Sequence, residues 1–116
     1  MNFAHMSDER VWQIADDLMD NLMAGSTMID HAQHTRDFTQ RMRDIVTPEY
    51  LQRVCVHYQD EKGFFTQRER VALFRRPDSF ALVWKQAFSK VDGEYVAEMV
   101  MVERDGRILV DHVMVF

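Results

Sequence analysis

Hydrophobic residues in the first half of the chain recur at the spacing of an α-helix. Ser7 is a suitable helix cap, and Gly25 is expected to end the helix that Ser7 starts. Further helix starts follow at Asp30 and at Thr47, where Pro48 takes the first helical position. Apolar positions of the first helix lie three or four residues apart: Val11, Ile14, Leu18 and Leu22. The pattern predicts a helical half over residues 7–60 with three helices.

After Gly63 the apolar residues alternate with polar ones, as they do along β-strands. Asp92-Gly93 and Asp105-Gly106 are each flanked by such alternation, which is typical of hairpins with two-residue turns. Pro77-Asp78 suits a further turn. The sequence therefore predicts an antiparallel sheet over residues 63–116, with four strands at about 65–75, 79–91, 94–104 and 107–116.

This order of elements predicts one α+β domain over residues 1–116. N-terminal helices are expected to pack on one face of a bent four-stranded antiparallel meander, leaving room for a pocket between the layers. The length of 116 residues suits a single domain. Residues 1–6 precede the first helix cap, and we expect them to be disordered.

Composition narrows the classes of partner. The net charge of −5 and a pI near 5.4 argue against a broad electrostatic contact with nucleic acid. A single cysteine, Cys55, excludes an internal disulfide and a zinc site with several cysteines. Apolar runs are too short to span a membrane, and the first residues do not resemble a secretory signal. We expect a cytoplasmic protein with no cofactor and no nucleic-acid or membrane partner.

Strand registers place one polar row across the face that the helices are expected to cover, here called the inner face. Two-residue turns at the Asp-Gly dipeptides pair Met99 with both Gln86 and His112. A similar turn at Pro77 pairs Glu69 with Gln86. The remaining residues of the predicted inner face are apolar: Val71, Leu73, Leu82, Trp84, Phe88, Ala97, Met101, Val110 and Met114.

A carboxylate and an imidazole in an apolar cavity can shift each other's pKa and act as acid and base. Glu69 and His112 are therefore the candidate catalytic pair if the protein is an enzyme. Methionine and aromatic side chains provide an adaptable apolar lining. The ligand-binding candidates are Gln86, Trp84, Met99, Met101, Tyr58 and Phe88. The alternative is that the polar row consists of structural groups at the open end of the core.

The opposite, outer face of the predicted sheet carries short branched side chains and a charged band. The band contains Arg70, Lys85 and Asp111, with Arg68 and Glu98 beside it. Such a face suits either a solvated sheet or a two-fold interface, in which mixed charges can be self-complementary. We expect a homodimer through a patch of valines: Val83, Val96, Val100, Val102 and Val113.

A second cluster of polar residues is Asp30-His31-x-x-His34-x-x-Asp37. Two or three of these side chains can share one face of a helix and so approach a metal ion together. A complete ligand set is not evident, and acids with histidines on a polar helix face are usually solvated. The sequence therefore predicts no metal site.

The layout of the C-terminal half resembles the nuclear transport factor 2-like superfamily of cystatin-like α+β proteins. Segments 80–88, 95–102 and 103–110, with the Asp92-Gly93 turn, look like the last three strands of that family. The resemblance implies helices lying across a bent sheet with a cone-shaped pocket, which holds acids, histidines or tyrosines in the family's enzymes. Many relatives are non-catalytic binders. This chain departs from the family where residues 47–58 have a helical pattern instead of a strand.

Three functions are consistent with these patterns. The leading interpretation is a non-enzymatic domain that binds a small apolar molecule between sheet and helices. The second is a lyase, isomerase or hydrolase that uses Glu69 and His112 as acid and base. The third is a dimeric interaction module without a ligand. A cavity between the layers would favour the first two interpretations over the third.

Overall fold

The computed structural model describes residues 2–116 and confirms the predicted α+β class. Four helices pack on one face of a four-stranded antiparallel sheet. The helices are α1 (Asp8–Thr27), α2 (His31–His34), α3 (Gln40–Ile45) and α4 (Pro48–Lys62). The strands are β1 (Phe65–Arg75), β2 (Ser79–Phe88), β3 (Tyr95–Arg104) and β4 (Arg107–Val115), in that order across the sheet. Within residues 2–116 no helix is long and apolar enough to cross a membrane.

Helix α1 starts where the sequence predicts, but Gly25 does not end it. The Ser7 hydroxyl accepts a hydrogen bond from the backbone N–H of Arg10 at 3.2 Å, and the helix continues to Thr27. A Cβ at position 25 would lie 2.5 Å from the backbone nitrogen of His34. Glycine is needed here because α2 approaches α1 closely, not because the helix stops.

The helix predicted from Asp30 is two short helices joined by an extended segment. Asp30 caps α2 by accepting from the N–H of Gln33, as predicted, but α2 ends at His34. Residues 37–39 then run beside β4, where Thr39 N–H donates to the Val110 carbonyl at 3.0 Å. Val110 N–H donates to the Asp37 carbonyl at 2.8 Å. Pairing with the sheet therefore overrides the local helical pattern.

Residues 1–6 were predicted to be disordered. Met1 lies outside the described residues, and for residues 2–6 the prediction is wrong. Residues Phe3–His5 form a 3₁₀ turn, and the side chains of Phe3 and Met6 are buried. The Phe3 ring packs edge-on against Phe80 with ring centres 4.9 Å apart. The segment is ordered because it covers apolar surface of β2.

The two Asp-Gly dipeptides behave differently. Asp105 and Gly106 have φ values of 53° and 78° and form the predicted two-residue turn, which pairs Arg104 with Arg107. Residues 89–94 instead form a longer connection, and Gln86 pairs with Tyr95 instead of Met99. The turn is displaced because the N–H groups at positions 89 and 90 donate to the carbonyls at positions 64 and 62. The pairing between β2 and β3 is shifted by an even number of residues. The shift therefore changes which residues pair but not the face of the sheet on which each side chain lies.

Two β-bulges do change faces. Arg70 pairs with Trp84 and Ala72 with Val83, which leaves Val71 as an extra residue in β1. Asp111 is the corresponding extra residue in β4, because Met101 pairs with Val110 and Val100 with His112. One extra residue moves every side chain beyond it to the opposite face. The predicted faces are therefore wrong for residues beyond each bulge: Arg68, Glu69, Arg70, His112, Val113, Met114 and Val115.

The bulge in β1 turns its arginines towards α1 instead of the outer face. The guanidinium of Arg70 donates to Asp16 at 2.9 Å, and that of Arg68 donates to Asp20 at 2.6 Å. Asp16 also accepts from the indole nitrogen of Trp84 at 2.8 Å. These contacts fix α1 over the β1–β2 half of the sheet, so the β4 half is left to α3 and α4.

Candidate functional site

The predicted ligand-binding residues divide between the packed core and a cleft. Trp84, Met99, Met101 and Gln86 are at most 1% exposed. These four side chains are enclosed by neighbouring core residues and do not line the cleft described below. Tyr58 and Phe88, by contrast, do line it.

Gln86 holds an irregular part of β1 in place. Its amide nitrogen donates to the carbonyls of Ala87 at 2.9 Å and Gln67 at 3.3 Å, and is 3.5 Å from that of Thr66. Pairing between β1 and β2 is irregular from Phe65 to Arg68, so these carbonyls need a side-chain donor. The side-chain oxygen of Gln86 has no hydrogen-bond partner among the described residues. Gln86 therefore has a structural role in the sheet.

The structure does not bring Glu69 and His112 together. Strands β1 and β4 are opposite edges of the sheet, and both side chains lie on its outer face because of the two bulges. Glu69 is 3.4 Å from the Lys85 ammonium, and His112 is 3.6 Å from the Glu98 carboxylate. The predicted acid–base row across the inner face is therefore wrong.

The Asp30, His31, His34 and Asp37 side chains bond to the protein instead of converging. A ring nitrogen of His31 is 2.7 Å from the Val46 carbonyl, and one of His34 is 2.6 Å from the Leu22 carbonyl. Burial acts to raise the pKa of Asp37, but hydrogen bonds from two arginines outweigh it and lower that pKa. Within residues 2–116 no group of three or more potential ligands could hold a metal ion.

An apolar cleft of about 540 Å³ lies between helices α3 and α4 and strand β4. Its floor comes from the C-terminal part of α1. Its walls include Leu51, Val54 and Tyr58 of α4, facing Val113 and Val115 of β4. A second depression, of about 590 Å³, lies beside the N-terminal turn and the β1–β2 turn, but it is shallower and more polar. The cleft is thus the concave site with apolar walls that binding pockets usually have.

The polar groups inside the cleft are uncharged at neutral pH. The Ser26 hydroxyl oxygen lies 2.8 Å from the Tyr58 hydroxyl and 3.2 Å from the Cys55 sulfur. Burial raises the pKa of both the Cys55 thiol and the Tyr58 hydroxyl. Cys55 is therefore a poor nucleophile, because the thiolate is the reactive form.

Cationic side chains stand at the two ends of the cleft. Arg41 lies near the start of the open part of β4, where it donates to Asp111 at 3.3 Å. Lys62 lies near the other end, with its ammonium 5.0 Å from the centre of the Tyr95 ring. His34 and His112 also line the cleft, and burial lowers the pKa of His34 so that its ring is neutral at pH 7. No Asp or Glu side chain among the described residues lines the cleft.

Sequence analysis missed the walls formed by α3 and by the last residues of β4. One feature of the sequence does indicate the α4 wall: the apolar residues of α4 cover a wider part of the helix surface than a single buried stripe needs. Leu51 and Cys55 are buried, whereas Tyr50 and Val54 are partly exposed at the edge of the cleft. Exposed apolar residues beside a buried stripe indicate a helix whose apolar surface is only partly covered.

No protein-family model matches the chain, and no curated protein matches it. Among solved structures, the fold is similar to the solution structure of a SEC-C motif containing protein from Rhodopseudomonas palustris. The TM-score is 0.60, and the match covers 84% of this chain and 74% of that chain at 13% sequence identity. At this identity the likeness concerns the fold alone, and it agrees with the α+β arrangement.

Proposed function

We propose that the protein is a non-enzymatic binding domain that takes a small apolar ligand in the cleft between α4 and β4. The observation that supports this most strongly is the cleft itself. Its volume of about 540 Å³ falls within the range of pockets for small organic ligands. The order of helices and strands in the sequence predicts a pocket between sheet and helices. The nuclear transport factor 2-like resemblance, which is part of this proposal, implies a pocket there too.

The groups inside the cleft favour binding over catalysis. Ser26, Cys55 and Tyr58 hydrogen-bond to one another and are uncharged, so they can orient a ligand without exchanging protons with it. Glu69 and His112, the pair on which the enzymatic alternative rested, lie on separate strands of the outer face. A cytoplasmic setting without nucleic-acid or membrane partners remains part of the proposal. It is supported by the net charge of −5 and by the single, buried cysteine, Cys55.

An NMR titration with the uncharged apolar dye Nile red tests this proposal. The dye should shift backbone amide signals of α4 and of the end of β4, including those of Leu51, Val54 and Val115. Amide signals on the outer face, such as that of Val83, should move little. Shifts confined to the outer face, or no binding, would contradict the proposal.

A second candidate function is self-association through the outer face of the sheet, which no helix covers. Val83, Val96 and Val100 lie partly exposed on this face, whereas Val102 is buried within the chain and Val113 packs against the core. Four strands of about ten residues span roughly 19 by 33 Å, the scale of a standard interface. Charged pairs of both signs, such as Lys85 with Glu69, suit a two-fold contact with a second copy.

A further inference from the structure

Strand β4 has a free edge that the rest of the protein covers only in part. Residues 37–39 pair with Val110, as described above. Further along, Phe116 exchanges both backbone hydrogen bonds with Val96, at 2.8 and 2.6 Å. Because backbone groups alternate in direction along an antiparallel strand, those of Val113 and Val115 point away from β3. Their N–H and C=O groups have no hydrogen-bond partner among the described residues.

This free edge borders the cleft. The side chains of Val113 and Val115 lie on the inner face and line the cleft opposite α4. A fifth strand bonded to these residues would present every second side chain on the same face. Those side chains would enter the cleft against Leu51 and Val54. The free backbone groups and the apolar walls therefore form a single site.

The rim of the cleft is unusually apolar for a site that holds only a small molecule. Among residues 2–116, ten large apolar side chains are exposed, and five of them line this cleft. These five are Ile45, Tyr50, Val54, Met114 and Phe116. Met114 and Phe116 lie at outer-face positions of the β4 edge, so a ligand enclosed in the cleft would leave these two in water. A strand paired with β4 has side chains on both faces and would pack against them as well. Clustered exposed apolar residues are typical of docking surfaces.

The charges of the residues that line the cleft indicate what kind of ligand it binds. The chain carries a net charge of −5, yet the cleft is lined by Arg41 and Lys62 with no acidic side chain among the described residues. Arg41 already forms an ion pair with Asp111 at 3.3 Å, so Lys62, which packs over the Phe88 and Tyr95 rings, is the cation left for a carboxylate of the ligand. These cations stand near positions 111 and 116 of the β4 edge, about 17 Å apart at the rise of a strand. An antiparallel second copy of β4 would offer Lys62 only Asp111, a carboxylate that Thr39 and Arg41 of its own chain already hold. An acidic peptide is the complementary occupant.

We infer that the apolar ligand of this cleft is an extended peptide of a partner protein, which adds to β4 as a fifth strand. Its backbone bonds to Val113 and Val115, its alternate apolar side chains fill the cleft, and an Asp or Glu side chain meets Lys62. Adding a strand satisfies backbone groups that a purely apolar molecule leaves unpaired. This inference rests on the proposed function, since it requires the cleft to be a binding site.

A display library of random ten-residue peptides, selected on the full chain, provides the probe. Val115→Pro removes the outward N–H without breaking a bond to β3, and the ring blocks a neighbouring strand. Val115→Ala is the matched control, because it also removes the two γ-methyl groups of valine but keeps the N–H. Selected peptides should alternate apolar residues and contain an acid. They should bind Val115→Pro about tenfold or more weakly than Val115→Ala. Nile red binding to the wild type, measured separately, reports whether the cleft itself is a binding site.

The outcomes separate this inference from the proposed function. Selected peptides that bind Val115→Pro as tightly as Val115→Ala would overturn the inference. So would a selection that enriches no peptide while Nile red still binds, and in that case the small-ligand function stands. A wild-type dimer that Val115→Pro dissociates would make a second copy the occupant and would also overturn the inference. Failure of both peptides and Nile red would overturn the proposed function as well.

Discussion

The hydroxyl groups of Ser26 and Tyr58 lie 2.8 Å apart and join the C-terminal parts of α1 and α4 at the closed side of the cleft. Tyr58 also packs on Phe65 with ring centres 5.1 Å apart, so α4 is anchored to the start of the sheet. Tyr58 also lines the cleft that lies between α4 and β4.

Tyr58→Phe should lower the free energy of unfolding by about 1 kcal/mol, since it removes the partly buried hydrogen bond to Ser26 at 2.8 Å and a longer one from Gln59 at 3.4 Å. Urea denaturation measures the change. Tyr50→Phe is the control, because the Tyr50 hydroxyl has no hydrogen-bond partner among the described residues and the side chain is exposed. Equal stabilities of the two variants would contradict an anchoring role for the Ser26–Tyr58 contact.

Stability should fall on mild acidification because of His34. Burial, with a smaller contribution from His31, lowers the pKa of the folded imidazole below its usual value of 6.5. The unfolded chain therefore takes up the proton first, and stability is lost as the pH falls from about 6.5 towards the lowered pKa. His34→Asn, which retains a donor for the Leu22 carbonyl, should weaken this dependence between about pH 7.5 and pH 5.5.

The control for this pH dependence is His57→Asn. His57 is exposed on α4, where its ring lies 3.5 Å from Glu61. Urea denaturation of each variant at the two pH values gives the comparison. If His34→Asn keeps the full pH dependence of the wild type, another group is responsible.

Gly25→Ala should destabilise the protein by about 1–3 kcal/mol, the range for overpacking a close contact. The added Cβ would meet the backbone of His34, and a backbone contact cannot be relieved by a rotamer change. Helix propensity alone predicts the opposite sign, a gain of about 1 kcal/mol. A thermal or urea denaturation that finds Gly25→Ala more stable than wild type would contradict the close packing of α1 and α2.

Val100→Asp should convert a dimer to a monomer if the outer face is the interface, because Val100 lies in the middle of its valine patch. Sedimentation velocity measures the change. Val56→Asp, at an exposed position of α4 outside the cleft, should leave the association state unchanged. A wild-type protein that sediments as a monomer at roughly 100 µM would exclude a stable dimer through this face.

Local signals predicted the elements of the fold well. The Ser7 and Thr47 caps and the Asp105-Gly106 turn depend on neighbouring residues only, and the structure confirms all three. The bulges depend on distant partners. Asp111 is held by Thr39 and Arg41 of the α3 region, and Arg70 by Asp16 of α1. Nothing beside these residues in the sequence marks an extra residue, so the predicted faces were reversed beyond each bulge.

The sequence predicted that a pocket exists, but it predicted only some of the residues that line it. A pocket between helices and sheet was expected, and Tyr58 and Phe88 line the cleft. Trp84 and Met99 were expected there too but are core residues. Which part of an inner face a helix covers depends on tertiary contacts such as Asp16 with Trp84, which position α1 over β1 and β2. Alternation along strands cannot reveal that choice.

The most direct test of the binding site compares Nile red affinities of Val54→Glu and Val56→Glu by fluorescence titration. Both positions are exposed on α4, but only Val54 lines the cleft, so the same charge is added inside and outside the site. The proposed function predicts that Val54→Glu weakens binding about tenfold or more, since the dye must share its pocket with a carboxylate. Val56→Glu should match the wild type. Equal affinities of the two variants, with both folded, would contradict binding in the cleft.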